Sequence, residues 1–133
     1  RYTSKVVERA DTTTYDGLKS NLAVSVWSGA YDPIAVVRNE ELVLLKAEAN
    51  IGKGGDGLTE INAVRSAHGL SAASTGGIDQ LLHEKRYSLF MEGHRWVDMR
   101  RYSKTGSLPN DRSDRGDKVF DSFPLPEAET KGL

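Results

Sequence analysis

Between residues 38 and 102, apolar side chains recur three and four positions apart in four short stretches, with glycines at most of the breaks. That period selects helices that each bury one stripe. The first stretch, about Arg38 to Ile51, repeats Leu42, Leu45 and Ala49, with Val43 and Leu44 widening the apolar face. Glu40 and Glu41 fall in its first turn, where the helix dipole favours carboxylates, and Gly52 and Gly54 stop it. The second, about Asp56 to His68, carries Leu58, Ile61, Ala63, Val64 and Ala67, with Gly69 as C-terminal cap and Leu70 as its hydrophobic contact. The third, Ile78 to Met91, turns Ile78, Leu81, Leu82, Leu89 and Phe90 inward. Gly93 then interrupts, and a fourth, shorter helix from His94 to Tyr102 buries Trp96 and Met99.

Short connections between such helices imply antiparallel pairs. The expectation is therefore a mainly α chain of two helical hairpins, stacked as in tetratricopeptide arrays, with long irregular loops. Two pairs fall short of the roughly three repeats an array needs, which suggests a fragment of a larger helical protein. Residues 1–37 read as an irregular, partly extended lead-in, with turn chemistry over Thr12–Gly17, a short strand near Leu22–Trp27 and an extended Asp32-Pro33. Residues 38–102 form the hairpin pair. Residues 103–133 form a polar loop and a tail kept extended by Pro124 and Pro126, and all three stretches belong to one domain.

Composition narrows the function. Of 133 residues, 38% are hydrophobic and 28% charged, enough for a core and against wholesale disorder. A net charge of −1 lacks the basic footprint of a nucleic-acid binder, so nucleic acid is not an expected partner. There is no cysteine, hence no disulfide or thiolate metal site, and no run of about 18 apolar residues to span a bilayer. Gly52-Lys53-Gly54-Gly55-Asp56-Gly57 spells a dinucleotide fingerprint, but a helix precedes it where a strand is needed, so it reads as a linker. His83-Glu84 does not continue to a zinc motif because position 87 is Tyr, and His68, His83 and His94 lack ligand spacing. Arg115-Gly116-Asp117 reads as a plain surface turn, and Asp111, Asp114 and Asp117, which could line a Ca²⁺ site, do not meet the EF-hand order. No metal, cofactor or catalytic constellation is expected.

Four stretches resemble one family in order and spacing. They are Asp32-Pro33 through Arg38, Glu40 and Ala47-Glu48-Ala49; Ile61-Asn62-Ala63-Val64-Arg65 with Gly69-Leu70; Glu84-Lys85-Arg86 through Glu92-Gly93-His94-Arg95-Trp96-Val97-Asp98-Met99-Arg100; and Phe123-Pro124-Leu125-Pro126 before Glu129. This pattern is similar to the C-terminal part of SusD/RagB-like proteins. It departs from them in having Lys85-Arg86 where the family doubles arginine, and in the ending Thr130–Leu133. The resemblance implies a non-enzymatic, surface-exposed outer-membrane lipoprotein, anchored through an N-terminus absent from this chain. Such a protein binds an oligosaccharide or other nutrient and hands it to a TonB-dependent, SusC-like transporter. The alternative from another class is a tetratricopeptide-like scaffold that grips a protein partner.

Two groups of residues stand out. Arg86, Glu92, Arg95, Trp96 and Asp98 cluster about the Gly93 bend, and are expected to form internal ion pairs around an apolar anchor; a ligand site there is the competing reading. Trp27 and Tyr31 lie in a loop-like stretch suited to stacking on sugar rings, with core filling the competing role for Trp27.

Overall fold

The computed structural model describes residues 3–15, 17–27, 29–110, 114, 116–120 and 122. The expected extended segment Phe123–Pro126, together with Asp111 and Arg115 of the loop motifs, lies outside them. The chain divides into two compact units, Arg1–Arg95 and Trp96–Leu133.

The first unit opens with a β-hairpin, where the sequence predicts an irregular, partly extended lead-in with one short strand near Leu22–Trp27. Strand β1 (Val6–Tyr15) pairs antiparallel with β2 (Leu18–Val24), and Tyr15 faces Leu18 across residues 16 and 17. Asp-Gly is the dipeptide that two-residue hairpin loops favour, and Gly17 has the φ of +79° that such loops require. The turn therefore occupies only the end of the Thr12–Gly17 stretch, and Thr12–Thr14 belong to a strand. Periodicity missed it because Val7, Leu18, Leu22 and Val24 all stay about half exposed, so no apolar/polar alternation marks one face. Register slips between Glu8↔Leu22 and Thr13↔Ser20, so residues 9–12 of β1 stand against Asn21 alone in an irregular bulge.

Three helices follow: α1 (Asn39–Gly52), α2 (Leu58–Ala67) and α3 (Ile78–Ser88). Each of the three packs against the other two. Their core is Leu44 and Ala47 of α1, Ile61 and Val64 of α2, and Leu81 of α3, with Val43, Ile51, Ala73 and Ile78 packed around it. The buried stripe of α1 is thus Val43, Leu44, Ala47 and Ile51, rotated from the expected one; Leu42, Leu45 and Ala49 face outward. Apolar residues cover most of this helix, so spacing alone does not choose the face. Close approach does. A Cβ on Gly57 would lie 2.9 Å from the Ala47 carbonyl oxygen and 3.1 Å from Ile51, so the chain entering α2 runs hard against the Ala47 side of α1.

The ends of α1 and α2 close on glycine in the same way. At α1, Gly55 N donates to Asn50 O and Gly54 N to Ile51 O; at α2, Leu70 N donates to Arg65 O and Gly69 N to Ser66 O. Gly54 and Gly69 take the left-handed conformation that closes this motif. The loop after α2 is clipped back by Asn62, whose amide donates to Ala73 O (3.2 Å) and accepts from Ala73 N (2.7 Å).

After α3 the backbone turns over Leu89–Gly93, with left-handed Met91 (φ +66°) and Gly93 (φ +83°), before α4 (His94–Arg101) begins. The second unit takes up α4 from Trp96. It ends α4 with Ser103 at φ +54°, Lys104 N donating to Met99 O and Ser103 N to Arg100 O, and continues through a 3₁₀ turn, Thr105–Ser107. Within this unit the Trp96 indole N–H donates to Phe120 O at 2.6 Å, and the Arg100 guanidinium lies 5.6 Å from the Trp96 ring centroid. No helix among the described residues is long and apolar enough to cross a membrane.

Candidate functional site

The segment joining β2 to α1 carries two exposed aromatic side chains. Asp32 N donates to Gly29 O (3.3 Å), and Gly29 N donates to the Asp32 carboxylate (2.8 Å), closing a tight turn from both sides. Tyr31 stands on that turn 99% exposed, and Trp27, just before it, is 42% exposed. Ile34, Val36 and Val37 continue the run of exposed apolar side chains toward Arg38.

Both ends of this segment are tied to the far end of α3. Ser25 N donates to Lys5 O (2.8 Å), fixing Lys5 beside the segment's start. The Lys5 ammonium donates to the Ser88 carbonyl (2.6 Å) and to Glu92 Oε1 (3.1 Å). At the other end Arg38 donates to the same Ser88 carbonyl and straddles Glu92, with Nη2 2.6 Å from Oε1 and Nε 3.3 Å from Oε2. Two cations thus converge on a carbonyl at the negative end of a helix dipole and on the carboxylate four residues beyond. Glu92 was expected in an ion-pair cluster; its partners come from segments that helix periodicity does not connect to it. Arg38 could have been found from the resemblance, where an arginine precedes the helix glutamates. Nothing local in the sequence marks Lys5.

Other ion pairs brace the three helices. Lys85 Nζ lies 2.7 Å from Glu48 Oε2, with both side chains nearly buried. Arg65 Nη1 reaches the fully buried Glu84 at 2.6 Å, joined there by Gln80. Glu60 accepts from Lys46 and Asn50; the Lys46 bond above all, with a backbone N–H and Asn50, holds its carboxyl below the ordinary carboxylate range against the opposing effect of burial. His68 and Glu40 meet at 2.7 Å. Of the other cluster residues, Arg86 is exposed with its guanidinium 5.7 Å from the Tyr87 ring centroid, Arg95 and Trp96 are half-buried, and Asp98 is buried. Within the Lys85-Arg86 pair, the lysine makes the internal salt bridge. Among the described residues no group of three or more His, Asp or Glu side chains is arranged to hold a metal ion.

A model of the SusD family matches residues 8–131, nearly the whole chain. The chain belongs to the SusD family. No curated protein and no solved structure matches it. SusD-family proteins bind glycans or other nutrients in the SusC/SusD system, are generally non-catalytic, and are typically surface lipoproteins of the outer membrane. The architecture of the described residues, four helices with a small two-stranded antiparallel sheet, is consistent with a portion of such a protein.

Proposed function

We propose that this SusD-family chain is part of a surface-exposed outer-membrane lipoprotein that binds an oligosaccharide or similar nutrient without transforming it. The protein passes that nutrient to a SusC-like, TonB-dependent transporter. The observation that carries the reading is the family match over residues 8–131. Trp27 and Tyr31 are the ligand-contacting residues in this proposal. Support comes from their exposure on a segment held at both ends, since tethering a loop lowers the entropic cost of binding on it. Arg86, Glu92, Arg95, Trp96 and Asp98 are assigned architectural roles, supported by the pairing of Glu92 and the burial of Asp98. The helices are read as tetratricopeptide-like pairs, supported by the packing of α1 on α2 across a short connection.

A glycan-array screen of the intact protein tests this, followed by titration of the best-binding oligosaccharide against Trp27→Ala and Tyr31→Ala. Each variant should bind at least about fivefold more weakly, the loss of one aromatic contact of about 1 kcal/mol. Unchanged binding in both variants refutes the site.

A further inference from the structure

We infer that a groove along α4, within the second unit, binds acidic oligosaccharides, with Arg100 taking the carboxylate or sulfate of the ligand; this rests on the oligosaccharide-binding reading of the chain, but not on Trp27 and Tyr31. Trp96, Val97, Arg100 and Arg101 line a groove of about 260 Å³. They share one side of the helix, because residues four apart lie one above the other. Trp96 is pinned by its indole N–H, which donates to Phe120 O at 2.6 Å, and the Arg100 guanidinium lies 5.6 Å from its ring centroid. Trp96 is thus a positioning residue for Arg100. A cation–π contact draws on the charge of the guanidinium and uses none of its N–H donors. Arg100 is exposed, and its side chain makes no hydrogen bond or ion pair with the described residues. Asp98 is the one acid of α4; it is buried, and two residues turn a helix by about 200°, which carries it away from Arg100.

The last turn of a helix favours a cation through the dipole, which accounts for an arginine at this position but leaves its donors to solvent. What the groove presents is therefore an aromatic and aliphatic wall beside a held guanidinium fork. That combination suits a sugar that carries an oxyanion. The apolar C–H face of a pyranose packs on the wall formed by Trp96 and Val97, and the planar guanidinium pairs with a carboxylate or sulfate through two parallel N–H donors. Pockets that enclose a drug-sized ligand run to about 300–1,000 Å³, so this smaller groove holds one acidic unit of a longer chain.

The test titrates the intact protein with oligogalacturonate and its methyl ester, and with a sulfated galactan oligosaccharide and its desulfated form, all of matched length. The wild type should bind one acidic member at least about tenfold more tightly than its uncharged counterpart, and which member does so tells carboxylate from sulfate. Arg100→Gln should lose at least about tenfold in affinity for that ligand and bind the uncharged form as before, with a thermal midpoint near the wild-type value. Arg100→Lys, a point charge without the fork, should fall between the two. Arg86→Gln removes another exposed arginine that lies over an aromatic ring, in the first unit, and should bind like the wild type. A wild type without preference for either acidic ligand, an Arg100→Gln protein of unchanged affinity, or an Arg86→Gln protein that loses as much, overturns the inference. If uncharged oligosaccharides still bind through Trp27 and Tyr31 in that case, the proposed function stands and only the α4 groove is wrong. If no oligosaccharide binds at all, both are lost.

Discussion

Removing the Glu92 carboxylate should destabilise the first unit by about 2 kcal/mol. Deleting one partner of a buried ion pair costs about 3–5 kcal/mol, because the other charge is left unpaired in low dielectric. Exposed pairs are worth about 1 kcal/mol or less. The Glu92 node lies between these limits, with side-chain exposures of 11% for Lys5, 19% for Glu92 and 30% for Arg38. In Glu92→Ala both cations keep the Ser88 carbonyl as an acceptor, which holds the loss toward the lower end. With a urea dependence of about 2 kcal/mol per molar, 2 kcal/mol moves the midpoint down by about 1 M, readable by helical circular dichroism. A cycle of Glu92→Ala with Lys5→Met should give a coupling of about 1 kcal/mol. A midpoint shift under about 0.2 M, or a coupling near zero, would show that the node behaves as an ordinary surface ion pair and would refute the reasoning.

Two further comparisons test the packing. Leu44→Ala, at a fully buried position, should cost about 3 kcal/mol, whereas Leu45→Ala, one residue on and 55% exposed, should stay within about 0.5 kcal/mol; urea unfolding of the two variants decides which face of α1 is the core. Gly57→Ala and Gly69→Ala share the same backbone penalty of about 1–2 kcal/mol, since their φ values are +66° and +65°. Only at Gly57 does a methyl group meet the Ala47 carbonyl and Ile51, so it should cost at least about 1 kcal/mol more than Gly69→Ala; equal thermal midpoints would remove the close approach from the account of why α1 buries the side it does.

The sequence was legible where local rules act alone. Helical period and glycine breaks located α1 to α4 within a few residues, because each helix has an apolar stripe and α1 and α2 end on glycines that close them. The α1 face was not legible, since four consecutive apolar residues at 42–45 leave the choice to tertiary contact. The hairpin was hidden by its exposed side chains, although Asp16-Gly17 was a usable signal. Tyr31 and Trp27 were picked out by composition of a loop, and the structure places them on its exposed surface. The node at Glu92 needed three dimensions: residues 5 and 38 meet 88 and 92 only after the helices have folded, so neither spacing nor charge pattern could join them.

The family match begins at residue 8, three positions after Lys5. An expression boundary trimmed to that match would keep every helix and lose only Val6 and Val7 from the hairpin, yet discard the ammonium that tethers the hairpin to the end of α3. Ser88 O and Glu92 would then depend on Arg38 alone, and a shortened protein could look well folded while its aromatic segment swung from one anchor instead of two.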